Sequence, residues 1–360
     1  MVNTIIPGAP RHKYNLRGAK PLFASEDGVI TKVTKKDFPI LKNLAMERIV
    51  LAPGAIREPH WHVNANEMTY LLQGKIQVSI LDSGTKMSTF TMDAGEMFHI
   101  EAGSLHVFEN VGDEEAELII CFRHEEPEDF FLGASSGAFT DAVMANTYDF
   151  DEKVFKNISR TTQPRHIFKR HPSSKPARAT IPTTAHFPDS HRFDIEGQQP
   201  PTAAPGVGSA KKARSQFWPA LKNMAMYSLT VEDSGMREPH WHPDTVEMGY
   251  VHKGRARMSI MDPDGSVDTY YLEPGECYFL PAAYPHQIES LESDIHFLIF
   301  FDNPMPKDVG FRSAGVAIPR ELMAATFGVK DTDFPEFPFE AEDPLLVAKK
   351  NAIDPIKSKL

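Results

Sequence analysis

The sequence predicts an all-β protein built from two tandem jelly-roll-like β-barrel domains with short flanking helices. Three observations carry that expectation. The hexapeptide Arg57-Glu58-Pro59-His60-Trp61-His62 recurs unchanged as Arg237-Glu238-Pro239-His240-Trp241-His242, and the same interval of 180 residues takes Glu67 to Glu247, Gly74 to Gly254, Gly95 to Gly275 and His106 to His286. The first half reads as short alternating strands at residues 68–72, 76–81, 89–92, 97–100, 106–109 and 118–122. Asp82-Ser83-Gly84 and Val111-Gly112-Asp113 punctuate them as turns, with Asp262-Pro263-Asp264-Gly265 at the counterpart of the first. Closely spaced strands of this kind form a sandwich or small barrel whose mouth can hold a ligand.

In chain order, residues 1–40 are expected as an N-terminal arm, 41–150 as the first barrel domain, 151–209 as a Pro-rich connector, 210–335 as the second barrel domain and 336–360 as a C-terminal tail. The stretch from Met1 to Lys20 carries Pro7, Pro10 and several charges but no apolar run of signal-peptide or membrane-span length, so a cytoplasmic protein without membrane contact is expected. A short helix follows each barrel, at residues 139–146 and 320–327, close to the 180-residue register. Between the halves, residues 164–209 hold Pro172, Pro176, Pro182, Pro188, Pro200, Pro201 and Pro205 and read as an irregular connector that wraps the surface. Its His166, His171, His186 and His191 lack ligand-like spacing and are expected at the surface, while His99, His252 and His296 are assigned packing or surface roles.

A net charge of -11 argues against nucleic acid as a partner, because phosphate binding needs a clustered excess of Lys and Arg. The two cysteines, Cys121 and Cys277, do not correspond under the repeat, which rules out a symmetrical disulfide framework and leaves each as a small buried apolar residue.

The repeated polar residues are metal ligands by type and spacing. Side chains two apart on a strand share a face, so His60 and His62 point into one barrel and His240 and His242 into the other. Glu67 and Glu247 return on the next strand, and His106 and His286 arrive from a later one. Three neutral imidazoles and one carboxylate leave positions free on a six-coordinate ion, the condition for substrate chemistry. Arg57 and Arg237 lie three residues before the first ligand, one step off the inward parity, near enough to offer a planar cation to a substrate carboxylate.

His-X-His, four residues, Glu, six residues and Gly, followed by a second motif of Gly95, Gly103, His106 and Asn110 or of Gly275, Pro281 and His286, resembles the cupin superfamily. Glu101, Ala283 and Ser290 depart from its second motif without removing a ligand. The Arg-Glu-X-His-Trp-His hexamer, present in both halves, resembles the bicupin oxalate decarboxylases over residues 25–150 and 206–330. The resemblance implies Mn(II) in each domain, with Fe, Cu, Ni or Zn as alternatives, and dioxygen as co-substrate or cofactor. It implies oxalate bound end-on and cleaved to formate and carbon dioxide, an acid on a lid loop, and a homo-oligomer, trimer or hexamer.

The lid is where the halves differ. Residues 123–131 read Arg-His-Glu-Glu-Pro-Glu-Asp-Phe-Phe, against Asn-Pro-Met-Pro-Lys-Asp-Val-Gly-Phe at 303–311. Decarboxylation requires an acid to protonate the carbon left behind, and Glu126 is selected by position, with Glu125 and Glu128 behind it. The family's Ser-Glu-Asn-Ser-Thr lid is not kept, and Leu298 stands where relatives carry a strand Glu, so catalysis is expected to favour the first lobe. An oxalate oxidase or an Fe or Cu dioxygenase is the second enzymatic reading. A storage or small-molecule-binding bicupin braced by its metals is the third.

Overall fold

A computed structural model describes residues 11–84, 86–171, 191–204, 206–338 and 344–351. Pro7, Pro10, His186 and the connector prolines 172, 176, 182, 188 and 205 lie outside them. The chain divides into two compact units, one of Leu16–Gln198 with Trp218–Ala220, the other of residues 11–15, Gln199–Phe217 and 221–351.

In the first unit two antiparallel sheets face each other. One has the strand order Arg192–Phe193, Met97–Ile100, Glu67–Gln73, Ala116–Phe122, Ala45–Leu51, Gly28–Val33 and Phe23–Ser25. The other has Asp129–Phe131, Ala55–His62, Leu105–Asn110, Lys75–Ser83 and Lys86–Asp93, with Ile167–Lys169 added beside Ala55–His62. Alternation decides which residues go inward. Along Ala45–Leu51 the odd-numbered Ala45, Glu47, Ile49 and Leu51 are buried, and Ala45, Ile49 and Leu51 share one apolar core with Val78, Phe90 and Phe108 from the opposite sheet. The second unit repeats the arrangement, except that Glu247–Met261 and His286–Phe301 run continuously through what are two strands each in the first, joining its strands into one sheet.

All six strands expected in the first half are present, each within three residues of its expected ends. The helices lie at Asp141–Thr147 and Arg320–Thr326, preceded by two that the composition did not announce, Leu132–Ser136 and Phe311–Ala317. The repeat interval changes along the chain. Ala116 faces Leu51 and Ile295 faces Val231, so beyond the turn at residues 111–115, one residue longer in the first half, counterparts are 179 apart. In that register Ile167–Lys169 of the connector and Leu346–Ala348 of the tail are the same strand, each paired with its own hexamer strand. Cys121 and Cys277 are buried and free, and no helix among the described residues is long and apolar enough to cross a membrane.

One irregularity sets the geometry of both sites. His106 pairs with His60 but Phe108 pairs with Arg57, and His286 pairs with His240 but Ile288 with Arg237. Each hexamer strand therefore carries one extra residue, a β-bulge at Glu58-Pro59 and at Glu238-Pro239. The bulge turns the one-step parity mismatch of the arginine into a match, so Arg57 and Arg237 are buried on the side of the histidines. Proline fits there because a bulge leaves an amide without a ladder partner.

Glycines with left-handed backbone close the turns, and two of them separate strain from crowding. A Cβ on Gly54 (φ +74°) meets no atom within 4 Å, whereas on Gly254 (φ +76°) it meets the Asp294 carbonyl oxygen at 2.2 Å and Ile295 Cγ2 at 2.7 Å. Gly54→Ala is expected to cost about 1 kcal/mol of unfolding free energy and Gly254→Ala about 3 kcal/mol, since overpacking adds to strain. Chemical denaturation of the two variants checks this; equal losses would show that crowding is absent at Gly254.

Candidate metal centres

The structure brings all eight expected ligands into two buried sets, His60, His62, Glu67 and His106 in the first barrel and His240, His242, Glu247 and His286 in the second, with the ligand atoms of each set within 4.8 Å of one another. In each, two ligands come from the hexamer, with His242 one residue past the end of its strand, the Glu from the first residue of the following strand, and the third His from the strand paired with the hexamer.

The hydrogen bonds show what the sets are built for. His60 Nδ1 donates to the Glu58 carbonyl at 2.7 Å and His106 Nδ1 to the Ser104 carbonyl at 2.9 Å; His240 and His286 donate in the same way to the Glu238 and Tyr284 carbonyls. A carbonyl can only accept, so each Nδ1 carries the proton and each Nε2 presents a lone pair inward. His60 Nε2 and His106 Nε2 then lie 3.1 Å apart, two acceptors facing each other, and His286 Nε2 is buried without a hydrogen bond. Such an arrangement is unfavourable alone and satisfied by a cation. The two sets thus fit one metal ion per barrel.

Electrostatics agree. Burial, reinforced at His60 by His106 and Arg57, drives the pKa values of His60 and His240 well below the usual histidine range, keeping both neutral. Burial opposes charge on His62 as well, but hydrogen bonds to Asp129 and Glu67 push its pKa up to about 9. Burial alone would raise the Glu67 pKa, yet His106 and His62 hold it far below the carboxylate range. The ligand carboxylates are oriented from behind by different residues in the two barrels. Thr69 Oγ1 donates to Glu67 Oε1 at 2.7 Å, and Tyr278 OH to Glu247 Oε1 at 2.6 Å. Gly249, the counterpart of Thr69, makes room for the Tyr278 ring.

Around these sets the barrels diverge. Arg57, 2% exposed, makes one long hydrogen bond from Nη1 to the His166 carbonyl at 3.4 Å, lies over the Phe131 ring, and leaves its Nε without a partner. No carboxylate among the described residues pairs with it. Arg237 is fully engaged, donating to the Leu345 carbonyl at 2.7 Å and forming a short ion pair with Asp308. The matching acid in the first barrel, Asp129, instead accepts from His62 Nδ1 at 2.6 Å and lies 3.4 Å from Lys32. Glu126 sits half-buried on the segment before Asp129–Phe131; its amide and carbonyl bond to His124 and Asn64, and its carboxylate forms no hydrogen bond or ion pair with the ligands.

Three residues missed by sequence reasoning shape the first site. Asp129 was hidden because its counterpart Asp308 appears only in the 179-residue register. His166, expected at the surface, is half-buried, has left-handed backbone (φ 63°) and packs edge-on against Phe131, because Glu58 accepts from its amide at 2.9 Å and fixes the turn. Glu47 is buried on the inner face where the second barrel has Tyr227, which lines a narrow cavity with Arg237, His240, His242, Glu247 and Asp308. As for the other histidines, His99 is buried against Trp218, and His191 is held by the His99 carbonyl and Asp82.

A family model described as Cupin matches residues 14–156 and 194–333. An oxalate decarboxylase of Bacillus subtilis is 27% identical over 303 residues, covering 83% of this chain and 77% of that protein. A probable oxalate decarboxylase of Arthroderma benhamiae is 23% identical over 337 residues, covering 91% and 80%, and a wheat oxalate oxidase is 33% identical over 108 residues, covering 29% and 48%. A solved oxalate decarboxylase structure superimposes with a TM-score of 0.84 at 24% identity, covering 96% of this chain and 91% of that one.

Metal must displace the extra proton that Asp129 and Glu67 place on His62. Mn(II) binding to the first barrel is therefore expected to release about one proton at neutral pH and to tighten roughly tenfold per pH unit until about 9. Asp129→Asn is expected to weaken Mn(II) by about 10–100-fold. Metal titration followed by electron paramagnetic resonance at several pH values checks both; an affinity flat across that range would contradict them.

Proposed function

This chain belongs to the cupin family, and on that premise we propose that it is a metal-dependent enzyme acting on a small carboxylate, oxalate decarboxylase-like, converting oxalate to formate and carbon dioxide with Mn(II) and dioxygen. One observation carries the reading: a buried guanidinium, Arg57, without a carboxylate partner beside a His₃Glu set that leaves ion positions free. The all-nitrogen and oxygen donor set, lacking thiolate, suits Mn(II). A divalent ion held there supplies Lewis-acid polarisation of a bound carboxylate and access to dioxygen.

The residues of the chain supply the rest. A buried cation without a partner is costly, so Arg57 favours an anion in the cavity, and its planar fork suits the carboxylate of a dicarboxylate that points away from the ion. From that position the guanidinium draws electron density from the C–C bond. Burial of the ligands and Arg57 excludes bulk water and strengthens each of these interactions. Arg237, neutralised by Asp308, is assigned to bracing the second barrel, which places turnover in the first.

The chain also leaves Phe139, Val143, Tyr148 and Phe150 exposed around the first barrel's helices and Leu322, Phe327 and Val329 around the second's. Apolar clusters of this kind mark contact surfaces, and the proposed occupant is another copy of the chain, in a trimer or hexamer. Sedimentation of the wild type against Phe327→Glu tests it; a monomeric wild type ends the proposal.

Mn(II)-loaded protein is expected to yield formate from oxalate under air, with little peroxide. Arg57→Gln is expected to reduce kcat/KM about a hundredfold or more, whereas Arg237→Gln leaves turnover within a few-fold and lowers the melting temperature by stranding Asp308. Formate and peroxide assays with thermal melts distinguish the cases. No formate at full metal occupancy would remove the decarboxylase, and a dominant peroxide yield would make the protein an oxidase.

A further inference from the structure

The first barrel holds a second carboxylate that its metal set does not use. Glu47 follows strand alternation onto the same inner face as Ala45, Ile49 and Leu51, and is 1% exposed. Its Oε2 makes no hydrogen bond and has only a 3.7 Å ion pair with Lys32, which is itself shared with Asp129 at 3.4 Å. The repeat shows that this position faces the metal cavity, because Tyr227, its counterpart, lines that cavity in the second barrel. Lys212, the counterpart of Lys32, lies over the Tyr227 ring. One barrel thus has a Lys–Glu pair where the other has Lys–Tyr.

Charge inside the two cavities differs accordingly. In the second, Lys212 and Arg237 balance Glu247 and Asp308, so a divalent ion leaves two positive charges, which a dicarboxylate dianion cancels. In the first, Lys32 and Arg57 meet Glu47, Glu67 and Asp129, so the ion leaves one positive charge and the same dianion leaves one negative charge. A buried excess charge is strongly disfavoured, and one proton removes it. The groups acting on Glu47 decide where that proton goes. Asp129 accepts from His62 Nδ1 at 2.6 Å and lies 3.4 Å from Lys32, and Glu67 accepts from Thr69 among the ligand histidines, whereas Glu47 Oε2 has no hydrogen bond and is open to a proton. Burial raises the Glu47 pKa, with Lys32 and Arg57 opposing and Asp129 and Glu67 adding to the rise, and a dianion drawing on Arg57 weakens the opposition. His166 faces Arg57 and Phe131 rather than Glu47.

We propose that Glu47 is the proton carrier of the first barrel, taking up one proton when a dicarboxylate dianion enters and delivering it to the carbon from which carbon dioxide departs. This rests on the decarboxylation reading above. The balance is non-redox overall: the C–C bond breaks, carbon dioxide leaves, the electron pair left on the remaining carbon forms a C–H bond with the Glu47 proton, and the next proton comes from water as the next dianion binds. When that proton is not delivered, the same carbon is open to oxidation by dioxygen, which takes up its electrons as peroxide, so Glu47 also separates decarboxylation from oxidation.

The test is calorimetric titration of the Mn(II)-loaded full chain with oxalate under nitrogen, in two buffers of unlike ionisation enthalpy. Wild type is expected to take up about one proton per oxalate bound in the first barrel. Glu47→Gln and Glu47→Tyr, the latter reproducing the pair already folded into the second barrel, are expected to bind oxalate with no uptake there, and Glu126→Gln to retain it. Under air Glu47→Gln is expected to lower formate turnover by about 10²–10⁴-fold and to raise the share of peroxide. Oxalate bound by wild type without proton uptake, or uptake unchanged in both Glu47 variants, overturns the assignment while leaving the decarboxylase reading intact. Uptake lost in Glu126→Gln instead gives the proton to the lid and overturns it equally, and no binding by wild type overturns the functional reading together with the inference.

Discussion

Imidazole lone pairs turned toward one another inside a dry barrel are the constraint on which the rest of the structure depends. Once His60 Nδ1 and His106 Nδ1 are committed to backbone carbonyls, their Nε2 atoms face each other at 3.1 Å on two buried side chains. Only a cation makes that interior favourable. The β-bulge, the strand pairing of His60 with His106, and the return of Glu67 at the head of its strand all serve to keep four donors on one point.

The two barrels are copies that share this constraint and differ in everything around it. Where the first barrel has Thr69 and Phe98, the second has Gly249 and Tyr278, and the ligand carboxylate receives its hydrogen bond from its own strand in one and from the neighbouring strand in the other. That exchange conserves the metal site. The exchanges of Glu47 for Tyr227 and His166 for Leu345, and the turning of Asp308 onto Arg237, do not conserve the substrate side. They put a phenol and an aliphatic side chain where the first barrel has a carboxylate and an imidazole, and they pair the arginine with an acid. Two matching ligand sets facing unlike cavities are the outcome.

Much of this was legible in the residues. An interval of 180 that carries three histidines, a glutamate and the glycines at 74 and 95 points to the barrels, the strands and the ligands, because each depends on strand alternation and local turn chemistry. What lay beyond reach depends on events between strands. A bulge at Glu58-Pro59 is a property of pairing with Leu105–Asn110, so the inward turn of Arg57 could be seen only as a parity off by one. Asp129 was concealed by a single extra residue in the turn at 111–115, which shifts the register to 179 and aligns it with the wrong counterpart. Glu47 stood on a strand whose alternation was readable, but a charged residue there looks like an error in the pattern until Lys32 is placed opposite.

The second barrel keeps a full ligand set although its arginine is spent on Asp308, and the physical reason lies in the folding of the buried ligands. Two of its histidines are tied by carbonyls into the neutral form with lone pairs inward, and Glu247 is held ionised by the histidines beside it. Removing the ion would leave His286 Nε2 orphaned in a space walled by Tyr227, Ile288 and Phe301, where water has little room. Losing any single ligand would leave the others buried and unsatisfied, a penalty of several kcal/mol for a charged member. Escape requires replacing all four by apolar residues of matching volume at once. A duplicated metal barrel can therefore lose its substrate contacts one residue at a time but not its metal, and retention of His240, His242, Glu247 and His286 is evidence about stability before it is evidence about turnover.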